Sequence, residues 1–121
     1  MKASLSNYRQ APRKTRLVTE LIKGKSVADA ITSLKFLEKR AAAPVAKLIQ
    51  SAVANAEKQG EDARTLVIQN ITVNKGIVAM RSMPRAFGRS SPIRHRMSHI
   101  EVTLGKAKAT KSKPRKKTTK K

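Results

Sequence analysis

Few side chains in this sequence could do chemistry, and two histidines are the most reactive of them. His95 and His99 stand four residues apart, which is the spacing of a helical zinc pair. On a strand they would share one face, but no further ligand, nucleophile or orienting carboxylate stands beside either of them. The chain has no cysteine, which excludes disulfides, thiolate zinc sites and cysteine nucleophiles. The sequence therefore predicts no metal site, no cofactor and no enzymatic activity.

The residues best suited to binding are arginines in one stretch of the chain. A guanidinium makes planar, two-pronged contacts with phosphate and stacks on bases, whereas a lysine ammonium acts as a mobile point charge. No carboxylate occurs between Asp62 and Glu101 to pair with these arginines. The stretch is therefore predicted to make fixed contacts with phosphate groups through Arg81, Arg85, Arg89, Arg94 and Arg96.

The whole chain shares this excess of positive charge. Its 121 residues include 28 Lys and Arg against 7 Asp and Glu, a formal net charge of +21. Such a surplus repels itself in a compact chain, and binding to a polyanion relieves that repulsion. Nucleic acid is the first candidate. An anionic membrane surface is disfavoured, because no helix pairs a broad apolar face with clustered lysines.

Aromatic residues are nearly absent, with one tyrosine, two phenylalanines and no tryptophan. Platforms on which single-stranded bases stack need such residues, so this mode of binding is disfavoured. Recognition of folded RNA through its phosphates, 2′-hydroxyls and shape is favoured instead. The start of the chain has no apolar stretch for a secretory signal, and no run approaches a membrane span, so a cytoplasmic protein is expected.

Apolar spacing predicts three helices that would carry the binding segment. The first covers residues 13–24, where Gly24 provides a left-handed end, the second covers 26–37, and the third covers about 39–59 and ends at Gly60. These elements supply one modest core, so the sequence predicts a single domain over residues 1–105.

Two helix starts carry recognisable signals. Ser26 and Asp29 have the spacing of a capping box, in which the hydroxyl takes one backbone amide and the carboxylate reaches back to another. Pro44 leaves two possibilities open. It would kink a third helix that begins at Lys39, but it occupies a favoured position if the helix begins near Ala43.

Strands are predicted on both sides of the arginine-rich segment. Residues 66–73 are rich in β-branched side chains, and their slipped alternation indicates a bulge. Residues 74–76 are either a tight turn or the irregular end of that bulge. In the last strand Ile100, Val102 and Leu104 point one way, and the residues between them point the other way.

Residues 77–98 between these strands read as a long hairpin with its tip near residues 84–92. Three short helices cannot cover it, so it must protrude. An isolated two-stranded ribbon is marginal in water, so an anionic partner must support this one. The final segment, residues 106–121, holds nine Lys and Arg, no acid and no large apolar side chain, and is predicted to be a disordered tail.

Several short sequence motifs resemble those of the universal large-subunit ribosomal protein of the L-twenty-two family, in its bacterial type. They are KTRLV at 14–18, KGKSV at 23–27, SAVANAE at 51–57, PRAFGR at 84–89 and SHIEV at 98–102. Together they span nearly the whole chain outside the tail. Met80 is one departure, because a basic residue is expected there more often in the family.

The resemblance implies an α+β fold with three helices packed on a small three-stranded antiparallel sheet, and a long hairpin that passes through 23S ribosomal RNA. It places the globular part near the exit of the nascent-peptide tunnel. It places the tip in the tunnel wall, beside ribosomal protein L-four and facing the nascent polypeptide. The implied tip residues are Met83, Pro84, Arg85, Ala86, Phe87, Gly88 and Arg89. The implied RNA-binding residues outside the hairpin arginines are Lys14, Arg16, Lys23 and Lys25 on the first helices, Gly88 at the tip, and Ser98 and His99 on the returning strand.

The expected function is therefore that of a non-enzymatic structural constituent of the large ribosomal subunit. The alternative is a DNA-architectural protein, which the net charge and the tail would serve equally well. The hairpin separates the two, since a minor-groove arm is expected on a dimeric body. The short helices here offer no dimer seam, so no homo-oligomer is expected.

Overall fold

A three-stranded antiparallel sheet organises the fold, and the last strand of the chain is its central strand. The computed structural model describes residues 1–106, so the predicted tail lies outside the described residues except for Lys106. Strand β1 is Lys2–Tyr8, β2 is Leu66–Pro84 and β3 is Ser90–Lys106, in the order β1-β3-β2. The three-stranded antiparallel sheet is confirmed.

Three helices cover one face of this sheet, as predicted. They are α1, Pro12–Ile22, α2, Val27–Lys35, and α3, Ala42–Glu57, and a short 3-10 turn precedes β2. Helix α3 begins three residues later than the earlier of the two possible starts. Pro44 therefore lies in its first turn, where no intrahelical N–H is needed, and it causes no kink.

The corner between α1 and α2 follows the predicted signals with two changes. Gly24 has the predicted positive φ, +78°, but α1 already ends at Ile22 and Lys23 is extended, so Gly24 serves the turn after the helix, which the Lys25 N–H closes on the Ile22 carbonyl at 3.2 Å. Ser26 Oγ accepts a hydrogen bond from the Asp29 backbone N–H at 3.2 Å. The Asp29 carboxylate, however, accepts the Ser26 hydroxyl proton at 2.7 Å, where the capping box predicted a bond from the Ser26 backbone N–H. The same corner covers the outer edge of β2, because the Gly24 N–H donates to the Ile68 carbonyl at 3.0 Å.

The hydrophobic core lies between the helices and the sheet. Side chains at alternate positions of β3 point into it, which confirms the predicted face of the last strand. Within residues 1–106, no core residue falls between Val73 and Ile100, so the hairpin adds nothing to the core. The principal members are Val18, Ile22, Leu34, Val45, Leu48, Ile49, Ile68, Ile71, Val73, Ile100, Val102 and Leu104.

Strand β2 contains two irregularities in its pairing with β3. The first lies between Ile68 and Asn70 and confirms the predicted bulge. The second lies between Lys75 and Val78, so residues 74–76 form no tight turn and the strand continues through them. A Cβ atom on Gly76 would lie only 3.2 Å from the Met97 carbonyl carbon, which explains why a residue without a side chain stands here.

Candidate nucleic-acid interface

Beyond the sheet, β2 and β3 continue as a two-stranded ribbon, which we define as residues 78–84 paired with residues 90–96. This confirms the predicted hairpin. The tip is shorter than predicted, because pairing continues through Pro84 and Pro92 and leaves only residues 85–89 unpaired. Proline has no N–H to donate. Each ribbon strand has only one neighbour, so a proline whose nitrogen faces away from that neighbour costs no hydrogen bond between the strands.

The ribbon carries arginines on both of its faces. Residues opposite each other in an antiparallel pair share a face, and successive residues alternate between faces. Arg81 lies opposite Ile93 and shares one face with it. Arg94 and Arg96 lie opposite Met80 and Val78, on the other face. The ribbon therefore presents guanidinium groups in two opposite directions.

The tip is a tight turn that ends in two left-handed residues. The Arg85 N–H donates to the Arg89 carbonyl at 2.7 Å, and Arg85 Nε donates to Ser91 Oγ at 3.0 Å. Phe87 has φ +57° and Gly88 has φ +67°. No other atom lies within 4 Å of a Cβ built on Gly88, so its glycine meets a conformational need. Phe87 is 99% exposed, and its left-handed backbone was not predicted.

The two predicted RNA-binding residues on the returning strand differ in accessibility. Ser98 is fully buried, and within the described chain its hydroxyl has no hydrogen-bond partner. Its side chain has no accessible atom for an RNA contact, so we remove Ser98 from the interface. His99 is half-buried, and its Nδ1 accepts the Asn7 backbone N–H at 3.1 Å. It ties β1 to the base of the ribbon.

Of the cations predicted on the first helices, Lys14 and Arg16 lie on α1, whereas Lys23 and Lys25 lie in the corner between α1 and α2. Lys14 and Lys23 are exposed. Lys25 Nζ donates to Ser33 Oγ at 3.4 Å. Arg16 donates to the Val73 carbonyl through both Nε, at 3.2 Å, and Nη2, at 2.9 Å. Arg16 therefore fastens α1 to β2, a structural role that the sequence pattern did not predict.

We expect substitution of Arg16 by methionine to destabilise the fold. The change removes two donors from one carbonyl, and a hydrogen bond to a charged group contributes about 1.5–3 kcal/mol, with the lower end applying at this exposed position. Urea unfolding followed by circular dichroism measures the loss. Arg13→Met is the matched control, since Arg13 is an exposed neighbour on the same helix. Equal unfolding midpoints for the two variants would show that the Arg16 contact does not hold α1 in place.

An open cleft of about 590 Å³ lies where the ribbon meets the body, and we call it the junction cleft. Its lining brings together residues from the end of β1, the start of α1, the connection between α2 and α3, and the β3 arm of the ribbon. No acid is among the lining residues. The cations are Arg9, Lys14, Arg40, Arg94 and Arg96. Arg9 and Arg40 were not predicted as site residues.

Tyr8 holds one wall of the junction cleft in place. Its hydroxyl lies 2.9 Å from Gln10 Oε1 and 3.3 Å from the Arg40 carbonyl. Burial raises the pKa of Tyr8, and the positive charge of Arg40 opposes that rise. The hydroxyl remains a donor at neutral pH and links β1 to the segment that carries Arg40.

No acid lines the junction cleft, and residues 78–96 of the ribbon and tip contain none. Within residues 1–106 the one salt bridge joins Lys106 Nζ to Glu61 Oε2 at 2.9 Å, at the end of the sheet opposite the tip. In the same range, no three His, Asp or Glu side chains are placed to hold a metal ion. No helix of this part of the chain has the length and apolarity needed to cross a membrane.

Comparison with known proteins gives one consistent result. The family described as Ribosomal protein L22p/L17e matches residues 3–105. The Large ribosomal subunit protein uL22 of Pelobacter propionicus is 49% identical over 107 residues, which cover 88% of this chain and 96% of that protein. The proteins of the same name from Geobacter sulfurreducens and Myxococcus xanthus are 48% and 46% identical, over 84% and 88% of this chain and 93% and 96% of their own lengths.

These matches extend over the helices, the sheet and the ribbon together, and they include every element described above. They confirm the resemblance and the interpretation as a ribosomal protein that is not an enzyme. The chain belongs to the ribosomal protein family L22p/L17e.

Proposed function

We propose that the chain is a structural constituent of the large ribosomal subunit in the cytoplasm, where it binds 23S ribosomal RNA and stabilises the folded subunit. The arrangement of arginines on the ribbon carries this proposal. A strand pair that lies on an RNA surface needs cations on one face only. A ribbon with arginines on both faces and at the tip is suited to a passage that RNA surrounds.

The tip is proposed to line the nascent-peptide exit tunnel beside ribosomal protein L-four, with the globular part near the tunnel exit. Every residue from 81 to 90 is exposed, so the tip packs against no other element of the described chain. It presents the Phe87 ring and the Met83 side chain together with Arg85 and Arg89. A wall element that contacts RNA on one side and a passing polypeptide on the other needs both kinds of side chain.

The proposed RNA interface combines the accessible predicted residues with the newly found ones. It excludes Ser98, which is buried, and it uses Arg16 and His99 only through the parts of their side chains that remain free. The residues are Lys14, Arg16, Lys23, Lys25, Arg81, Arg85, Gly88, Arg89, Arg94, Arg96 and His99, with Arg9 and Arg40 added.

Two measurements on the full chain test this proposal. Sucrose-gradient sedimentation of cell lysate should find the chain with large ribosomal subunits. Titration with transcribed 23S rRNA and with duplex DNA of equal nucleotide content, at several salt concentrations, should show preference for the RNA. A pool bound to the nucleoid, or equal affinity for both nucleic acids, would favour the DNA-architectural alternative instead.

The ribbon is expected to gain its stability from RNA. Fixing a residue costs about 1–2 kcal/mol of backbone entropy, and residues 81–96 bury too little apolar surface to offset it. Hydrogen exchange on the free chain should therefore be fast across residues 81–96, slow across the core strand residues 100–104, and slow in both regions once the chain is in the subunit. Strong protection of the ribbon without RNA would contradict this expectation.

A further inference from the structure

We propose that the junction cleft seats a bent segment of RNA backbone, and that the seated phosphates fix the angle at which the ribbon leaves the body. The proposal rests on the proposed function, because it names the place where RNA controls the ribbon. The phosphodiester backbone, and not the bases, is the ligand.

The two walls of the junction cleft belong to different parts of the molecule. Arg9 and Arg40 stand on the body, and Arg94 and Arg96 stand on the ribbon. Like charges that face each other across an empty space repel, and an anion placed between them is attracted by both walls. Within residues 1–106, none of these four guanidinium groups donates a hydrogen bond to another group. Three other arginines of the chain do donate within the fold. The cleft donors are therefore available to a ligand.

The size and lining of the junction cleft favour a polynucleotide. A space of about 590 Å³ is far larger than a single phosphate, and because the cleft is open a longer chain of phosphates can pass through it. No Phe, Tyr or Trp lines the cleft, and His95 is the one ring side chain among its lining residues, so the guanidinium groups dominate what the cleft offers a ligand. Guanidinium groups on two sides are suited to phosphate oxygens, which position a nucleic acid without reading its sequence.

The position of the junction cleft links its occupant to the direction of the ribbon. The pairing of β1 with β3 shifts between Leu5 and Tyr8, and the pairing of β2 with β3 shifts between Lys75 and Val78. Both irregularities lie at the base of the ribbon, and strands bend at such points. A ligand that bridges Arg40 and Arg94 connects the two sides of this bend and restricts its angle.

The experiment measures a distance between body and ribbon in the full chain. Because the chain has no cysteine, Lys58→Cys at the end of α3 and Ser90→Cys near the tip introduce two unique sites for spin labels. Double electron–electron resonance should give a broad distance distribution for the free chain and a narrow one with transcribed 23S rRNA. Arg40→Gln combined with Arg94→Gln should leave the distribution broad with saturating RNA. It should also lower the slope of log K against log salt by about 1.4–1.8, the value for two phosphates.

The matched control combines Lys35→Gln with Arg64→Gln, which removes the same charge from exposed positions outside the junction cleft. RNA should narrow the spin-label distance distribution of this variant as it does for the parent chain. The helix signal in circular dichroism should be equal in all variants. The proposal is overturned if RNA also narrows the distance distribution of the variant with Arg40→Gln and Arg94→Gln, or if the salt slope of that variant equals the slope of the control. Narrowing by millimolar inorganic phosphate alone would overturn the assignment to a polynucleotide. A parent chain that does not bind 23S rRNA would refute the proposed function itself.

Discussion

A chain in which Asn-Gly replaces residues 76–97 is expected to fold normally and to bind ribosomal RNA more weakly, with a much reduced salt dependence. Lys75 and Ser98 are directly paired, so a two-residue turn can join them. The deleted segment contributes nothing to the hydrophobic core. It holds five arginines, and their loss should lower the salt slope of RNA binding by about 3.5–4.5.

Two measurements separate folding from binding in this variant. Urea unfolding should give nearly the same midpoint as the complete chain, and titration with 23S rRNA at several salt concentrations gives the slope. The informative control keeps the ribbon but replaces its five arginines by glutamine, which isolates charge from shape. A shortened chain that does not fold would show that the ribbon stabilises the body. An unchanged slope would show that RNA binds elsewhere on the chain.

The largest effect on stability is expected for Ile100→Ala. Ile100 is fully buried on the central strand, between Leu5 of β1 and Val73 of β2. Truncating such a residue costs about 2–5 kcal/mol, because burial is lost and a cavity remains. Domains of this size have only about 5–15 kcal/mol in total, so the variant should unfold at a clearly lower denaturant concentration than the parent chain.

The control for this prediction lies on the same strand. Ile93→Ala is the same chemical change on the ribbon, where the side chain is 38% exposed and belongs to no core cluster. It should lower the free energy of unfolding by about 1 kcal/mol or less, in the range of surface substitutions. Chemical denaturation of both variants measures the difference. Equal losses would mean that the core does not centre on β3.

Periodicity predicted the elements that bury a continuous apolar stripe. The three helices, the bulge in β2 and the inward face of β3 all follow from spacing, because burial imposes that spacing. Strand β1 escaped the same reasoning, because its burial alternates from Lys2 to Ser6 but its inward positions there carry only Ala3 and Leu5, too little apolar surface for a clear signal. The left-handed Phe87 also escaped it, because bulky residues rarely adopt that conformation and no residue type announces it.

The candidate site was predictable only where it lies on one continuous segment. The arginines of the ribbon are close in sequence, and a shared lack of acids identified them. The junction cleft combines Arg9, Arg40 and Arg94, which tertiary structure alone brings together. For Ser98 the signal was available, because it stands two residues before Ile100 and therefore shares the inward face of β3. The resemblance to the family instead implied that Ser98 binds RNA, which its inward position in the strand does not allow.

The pairing of the first strand with the last has a consequence for how the chain folds. The N-terminal amine of Met1 donates to the Leu104 carbonyl at 3.1 Å, and the Leu104 N–H donates to the Met1 carbonyl at 2.8 Å. Contacts so far apart in sequence form slowly, and during synthesis they must wait for the distant partner. The helices can form while β1 still has no neighbour, and once β3 has been made it can pair with β2, which is closer in sequence than β1. Docking of β1 is then the last step of folding. Until residue 104 leaves the synthesising ribosome, the nascent chain exposes both an unpaired strand edge and positive charge that no anion neutralises.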